Sequence, residues 1–145
     1  KKYLNWTCLH HLMKKKVMVF GTFDILHQGH LFLFKKAKEL SDELYVIVAK
    51  DVNVEKFKKN LPKNNEQQRL ENIKNIEEVN QVTLGDENDI YKIIEEIKPD
   101  IIALGYDQDE QNLKNELEKR NLKIKIVRLE AFKEKKFKSS LLKNV

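Results

Sequence analysis

The chain has 145 residues, with 28 basic against 23 acidic side chains and a formal net charge of +5. That length suits one ordinary domain with its own buried core, and a single cysteine, Cys8, excludes a disulfide framework and a cysteine-rich zinc site. No run approaches the ~18 apolar residues that cross a bilayer and no apolar signal segment opens the chain, so a cytoplasmic protein without a membrane partner is expected.

Residues 1–12 fit no periodic pattern and precede Met13. They read as a non-native or disordered extension, with 13–145 as a single domain. Cys8, His10 and His11 lack a fourth ligand, so no metal is expected there. The apolar run Val17–Phe20 reads as a first strand, broken by Gly21. After a short polar turn, Leu31–Leu40 reads as a helix with Leu33, Phe34, Ala37 and Leu40 on one face. Leu44–Ala49 is a second strand, and the lysine-rich stretch Lys50–Asn65 reads as a loop. Glu66–Asn75 turns helical, with Leu70 and Ile73 inward. Val79–Leu84 is a third strand, closed by Gly85. Asp86 or Asn88 is expected to cap the next helix, whose Ile90, Ile93, Ile94 and Ile97 keep the helical period until Pro99. Ile101–Leu104 forms a fourth strand, stopped by Gly105. A polar helix through Leu113 and Leu117 leads to the fifth, Ile124–Leu129.

Short, continuously apolar strands alternating with helices imply parallel pairing buried on both faces. The expected fold is α/β, a doubly wound five-stranded parallel sheet in three layers, Rossmann-like. Ligands of such sheets bind beyond the carboxyl ends of the strands. Those ends carry Gly21–His30, Lys50–Pro62, Gly85–Asn88 and Gly105–Gln108.

The four glycines, 21, 29, 85 and 105, build neither Gly-x-Gly-x-x-Gly nor a P-loop, which argues against a dehydrogenase and a P-loop kinase. His27 and His30 stand about one helical turn apart, so both imidazoles can face one site. Gly29 between them lets a phosphate approach the backbone. Two imidazole donors beside a helix N-terminus suit charge building on an α-phosphate under attack.

The segment Gly21-Thr-Phe-Asp-Ile-Leu-His-Gln-Gly-His30 resembles the His-x-Gly-His motif of the cytidylyltransferase-like nucleotidyltransferases. Val46–Asp51, Glu66-Gln-Gln-Arg-Leu70, Leu84-Gly-Asp86 and Ile101-Ile-Ala-Leu-Gly-Tyr-Asp-Gln108 are similar to the archaeal type of FAD synthase, so the resemblance spans 15–142. It implies FMN adenylyltransferase activity: FMN and ATP give FAD and pyrophosphate with magnesium, in a homodimer, without a nucleic-acid partner. It assigns His27 and His30 to the phosphates and transition state, and Gly21, Thr22 and Phe23 to the phosphate-facing turn. Gly105, Tyr106 and Asp107 would line the nucleoside. Lys59 would supply catalytic charge, and Asp24, Lys56 and Arg69 would serve the acceptor, with Arg69 either orienting the loop or touching its phosphate. Ser139 and Ser140 are the only candidates for the serine-rich phosphate segment of the superfamily. Archaeal relatives often have a cysteine just before that pair, where Phe137 and Lys138 stand here. The magnesium would be held mainly by phosphates, with no protein ligand assigned. Phe23, Phe57, Tyr106 and Phe132 are candidates for a flat flavin slot. The same motifs also suit a CTP-dependent cytidylyltransferase of glycerol 3-phosphate or another polyol phosphate. A non-catalytic reading is a basic nucleic-acid module built on Lys133–Lys138 with Phe132 and Phe137.

Overall fold

The computed structural model describes residues 14–58, 61–106 and 108–130. Lys59, Asp107, Phe132, Ser139, Ser140 and the 1–12 extension with Cys8, His10 and His11 lie outside the described residues, as does the Lys133–Lys138 run.

Five strands, β1 (Lys16–Gly21), β2 (Glu43–Val48), β3 (Gln81–Leu84), β4 (Ile101–Leu104) and β5 (Lys125–Arg128), form one parallel sheet in the order β3-β2-β1-β4-β5. Helices α1 (Gln28–Glu39), α2 (Asp51–Lys58), α3 (Glu66–Lys74), α4 (Lys92–Ile97) and α5 (Glu110–Lys119) connect them. Alternation along β1 divides the core. Val17 and Val19 face a cluster with Phe34 and Ala37 of α1 and Ile73 of α3, whereas Met18 faces Ile94 of α4 and Leu113 and Leu117 of α5. Helices therefore cover both faces, which gives the three expected layers.

Two local readings need correction. The Lys50–Asn65 stretch is not all loop, because Asp51–Lys58 is helical. Its apolar period is weak, with Val54 buried but Val52 44% exposed. Tertiary bonds hold its first turn instead: Asp51 N–H donates to Glu66 Oε1 at 2.8 Å, and Asp51 Oδ2 accepts from Glu66 N–H at 3.2 Å. Nor does Asp86 or Asn88 cap α4, whose N-cap is Tyr91 without a side-chain bond. Asp86 Oδ2 instead accepts from the N–H groups of Asn88 and Asp89, closing a turn ahead of the helix.

The winding direction reverses between β1 and β4, the strand-order switch at which open α/β sheets bind ligands. β1 pairs with β2 from Lys16 opposite Glu43 to Gly21 opposite Val48. Towards β4 its registered pairs are Val17 with Ile101 and Met18 with Ile102, so the two strands part before their carboxyl ends. A crevice opens there.

Candidate active site

The turn after β1 is shaped by close contacts. Phe23 has φ 51°, a left-handed conformation costly for a side chain with a Cβ. Burial holds it there: the ring packs 5.1 Å from Phe34 and edge-on to His30 at 5.3 Å. A Cβ on Gly21 would stand 2.6 Å from Phe23 Cζ, so glycine is needed beneath that ring. At Gly29 a Cβ would meet His27 Cε1 at 2.8 Å.

His27 is the N-cap of α1, and the two histidines cap it reciprocally. His27 Nδ1 accepts from Gly29 N–H at 3.0 Å, and His30 Nδ1 accepts from His27 N–H at 3.3 Å. The rings stack with centroids 3.9 Å apart. With Nδ1 accepting, each neutral imidazole carries its hydrogen on Nε2. The cap thus fixes the tautomer that makes Nε2 a donor, at a helix end that already attracts anions. The spacing was readable in the sequence, but this reciprocal use of Nδ1 was not.

Two clefts flank the carboxyl end of β1. A wide one of about 560 Å³ is lined by Thr22, Phe23, Asp24, Ile25, His30, Leu33 and Gly105, a volume in the range of small-molecule sites. A narrower one of about 220 Å³ lies towards β2 and β3, between Ile47, Ala49, Val54 and Ile90, with Asn53 and Asp86 at its polar side. Phe20, Gly21, Thr22 and Gln108 line both. Buried Asn53 donates to Asp86 O at 3.1 Å and so ties α2 to the turn after β3. That turn is anchored from behind by Arg120, whose guanidinium meets Asp89 at 2.9 Å and Glu95 at 2.6 Å.

The structure brings Gly21, Thr22, Phe23, Asp24, His30 and Gly105 together around the wide cleft, with His27 stacked on His30. Tyr106 follows Gly105 and is 65% exposed. Lys56 is exposed on α2, outside the residues that line either cleft. Of the expected flavin-slot aromatics, Phe23 is enclosed by Phe34 and His30, and the narrow cleft is walled instead by Ile47, Val54 and Ile90 together with Phe20. Sequence reading placed Asn53 and Gln108 in strand-end loops but assigned neither a role of its own.

Asp24, although it lines the wide cleft, and Arg69 both bond to the scaffold. Asp24 accepts from Lys63 N–H and Asn64 N–H, each at 2.8 Å, so both of its oxygens are engaged. Arg69 is fully buried, donating to Thr22 O at 2.8 Å, Asn64 O at 3.1 Å and Asp51 Oδ1 at 2.6 Å. Of the two roles expected for Arg69, its contacts serve the one that orients the loop. Together the pair staples 63–64 and the start of α2 to the turn after β1.

Burial pushes the Asp24 carboxyl up, but the Asn64 and Lys63 N–H groups and the nearby Arg69 and Lys63 charges outweigh it. Its folded pKa lies below the ordinary 3.8. The stability it contributes is therefore present above 3.8 and is lost as pH falls through the folded value. Thermal melts of wild type and Asp24→Asn should differ most near neutrality and converge under acid. A gap that stays constant down to the acid limit would show that the Asp24 charge adds no stability.

Among the described residues, no group of three or more His, Cys, Asp or Glu could hold a metal ion, and no helix is long and apolar enough to cross a membrane. The family described as cytidylyltransferase-like matches residues 18–145. An FAD synthase of Methanothermus fervidus is 52% identical over 121 residues, 80% of this chain and 83% of that protein. One of Archaeoglobus profundus is 48% identical over 128 residues, 86% and 81% of the two chains. The solved structure of a lipopolysaccharide core biosynthesis protein from Thermoplasma volcanium superposes with a TM-score of 0.77 at 41% identity, covering 82% of this chain and 98% of that one. A pantoate–beta-alanine ligase of Francisella tularensis shares the fold alone, with a TM-score of 0.59 at 19% identity over 89% and 61% of the two chains.

Proposed function

The chain belongs to the cytidylyltransferase-like family, and on that premise we propose that it is an FAD synthase, transferring the adenylyl group of ATP to FMN. The observation that carries the choice of acceptor is the narrow cleft. Its apolar walls, Phe20, Ile47, Val54 and Ile90, suit the edge of a flat apolar ring and offer little to a polyol, which needs hydrogen-bonding partners throughout. Near-50% identity to FAD synthases supports the same acceptor.

In this reading ATP occupies the wide cleft, with its phosphates against the His27–His30 end of α1 and its nucleoside towards Gly105 and Tyr106. FMN enters from the β2–β3 side. An oxygen of the FMN phosphate forms a bond to the α-phosphorus while the bond from that phosphorus to the bridging oxygen breaks, and pyrophosphate leaves with the electron pair. The acceptor phosphate is already ionised, so no side chain has to remove a proton. Catalysis then rests on positioning and on the two imidazoles at the start of α1, set beside the charge that builds on the phosphates. Enzymes of this class commonly use a divalent cation. Here it would be magnesium held through phosphate oxygens, since both Asp24 oxygens are engaged within the scaffold. A homodimer in the cytoplasm, with Lys59, Asp107, Ser139 and Ser140 completing the nucleotide site and Lys56 near the acceptor, belongs to the same proposal.

Incubation with magnesium and FMN plus ATP or CTP, followed by chromatography, tests it. FAD and pyrophosphate should form with ATP. Formation of a CDP-polyol from glycerol 3-phosphate and CTP, without FAD, would overturn the acceptor assignment.

A further inference from the structure

Gln108 occupies the gap that the sheet leaves open. Where β1 and β4 part, its Oε1 accepts from Gly105 N–H at 2.8 Å, and its Nε2 donates to Phe20 O at 3.0 Å. One side-chain amide therefore replaces the ladder between the two strand ends. It also lies in the wall common to both clefts. Of the four residues that line both, Phe20, Gly21, Thr22 and Gln108, only the last two carry a side-chain hydrogen-bonding group.

In-line displacement requires the attacking oxygen and the leaving pyrophosphate on opposite sides of the α-phosphorus. If acceptor and donor enter from separate clefts, the phosphorus must lie where the clefts join. A primary amide has two N–H groups. One is directed to Phe20, which leaves the other for a ligand at that junction.

We propose that Gln108 is a catalytic residue, its second Nε2–H donating to the α-phosphate as that group passes between donor and acceptor. This rests on the two-cleft reading of a nucleotidyl transfer but not on which acceptor is used. The wild-type assay above first identifies the reacting pair, and the Gln108 variants are then compared on that pair, so the two readings fail separately.

Two substitutions make the test. Gln108→Leu removes both contacts, whereas Gln108→Glu keeps an oxygen for Gly105 N–H but loses the donor to Phe20 O and places a carboxylate where phosphates pass. A role confined to bridging the strands makes kcat follow thermal stability in both variants, with both KM values moving as well. The proposal expects kcat to fall further than the loss of stability accounts for. Gln108→Leu should lower kcat about tenfold, the size of one lost hydrogen bond, at little-changed KM for either substrate. Gln108→Glu should lower it further, because its carboxylate repels the passing phosphate. Wild-type kcat in Gln108→Leu, or higher kcat in Gln108→Glu than in Gln108→Leu, would overturn it. Should Gln108→Leu not fold, kcat of Gln108→Glu decides alone: a value close to wild type rejects the donor role.

Discussion

Replacing His27 with asparagine should leave a folded protein whose kcat for FAD formation is about 10²–10³-fold lower. The substitution separates two tasks that one ring performs. As N-cap of α1, His27 accepts through Nδ1 from Gly29 N–H. Asparagine is among the best residues for that task, so its side-chain oxygen can take over the bond and the helix start survives. What asparagine lacks is the Nε2–H on the far side of the ring, the donor that the proposed mechanism assigns to developing phosphate charge. His27→Ala should lose both, adding about 1 kcal/mol of destabilisation to the same loss of rate. Steady-state kinetics beside thermal melts read the two effects apart. Near wild-type turnover in His27→Asn would reduce the ring to a helix cap and remove the main support for the mechanism.

Features legible in the sequence were those whose causes are local. Val17–Phe20, Leu44–Val48 and Ile101–Leu104 are apolar because both of their faces are covered, and a short apolar run reports that directly, the first and third being stopped by Gly21 and Gly105. His27 and His30 were legible for the same reason, since the cap, Gly29 and the helix start lie within four residues. What stayed hidden depends on partners far along the chain. Helix α2 was missed because the bonds at its first turn come from Glu66, fifteen residues on. The Gln108–Phe20 bond spans 88 residues, and a polar side chain that bridges splayed strands leaves no periodic trace. Arg69 is the converse case. Its motif drew attention to a charged side chain near phosphates, but 0% exposure turns the same arginine into scaffold. Composition does not reveal which way a guanidinium faces.

That distinction makes Arg69 the site of the largest expected loss of stability. Arg69→Met keeps much of the volume but deprives Thr22 O and Asn64 O of their donors and Asp51 of its cation. Arg69 is fully buried while Asp51 keeps 30% of its side chain exposed, so the cost is about 3 kcal/mol, the low end for breaking a buried pair, a fall on the order of 10 °C in Tm for a domain of this size. Arg69→Lys should recover little of it, because one ammonium cannot reproduce a planar fork reaching three oxygens on three segments. The loss should also appear in turnover, since the Thr22 carbonyl belongs to the turn that lines both clefts. An arginine that touched the acceptor phosphate would behave differently. Arg69→Lys would then melt near wild type, and its defect would be confined to the KM for FMN. Urea denaturation of both variants, with KM measured separately for ATP and FMN, decides between a clamp and a ligand. The 2.6 Å contact with Asp51 and the full burial of Arg69 predict the clamp.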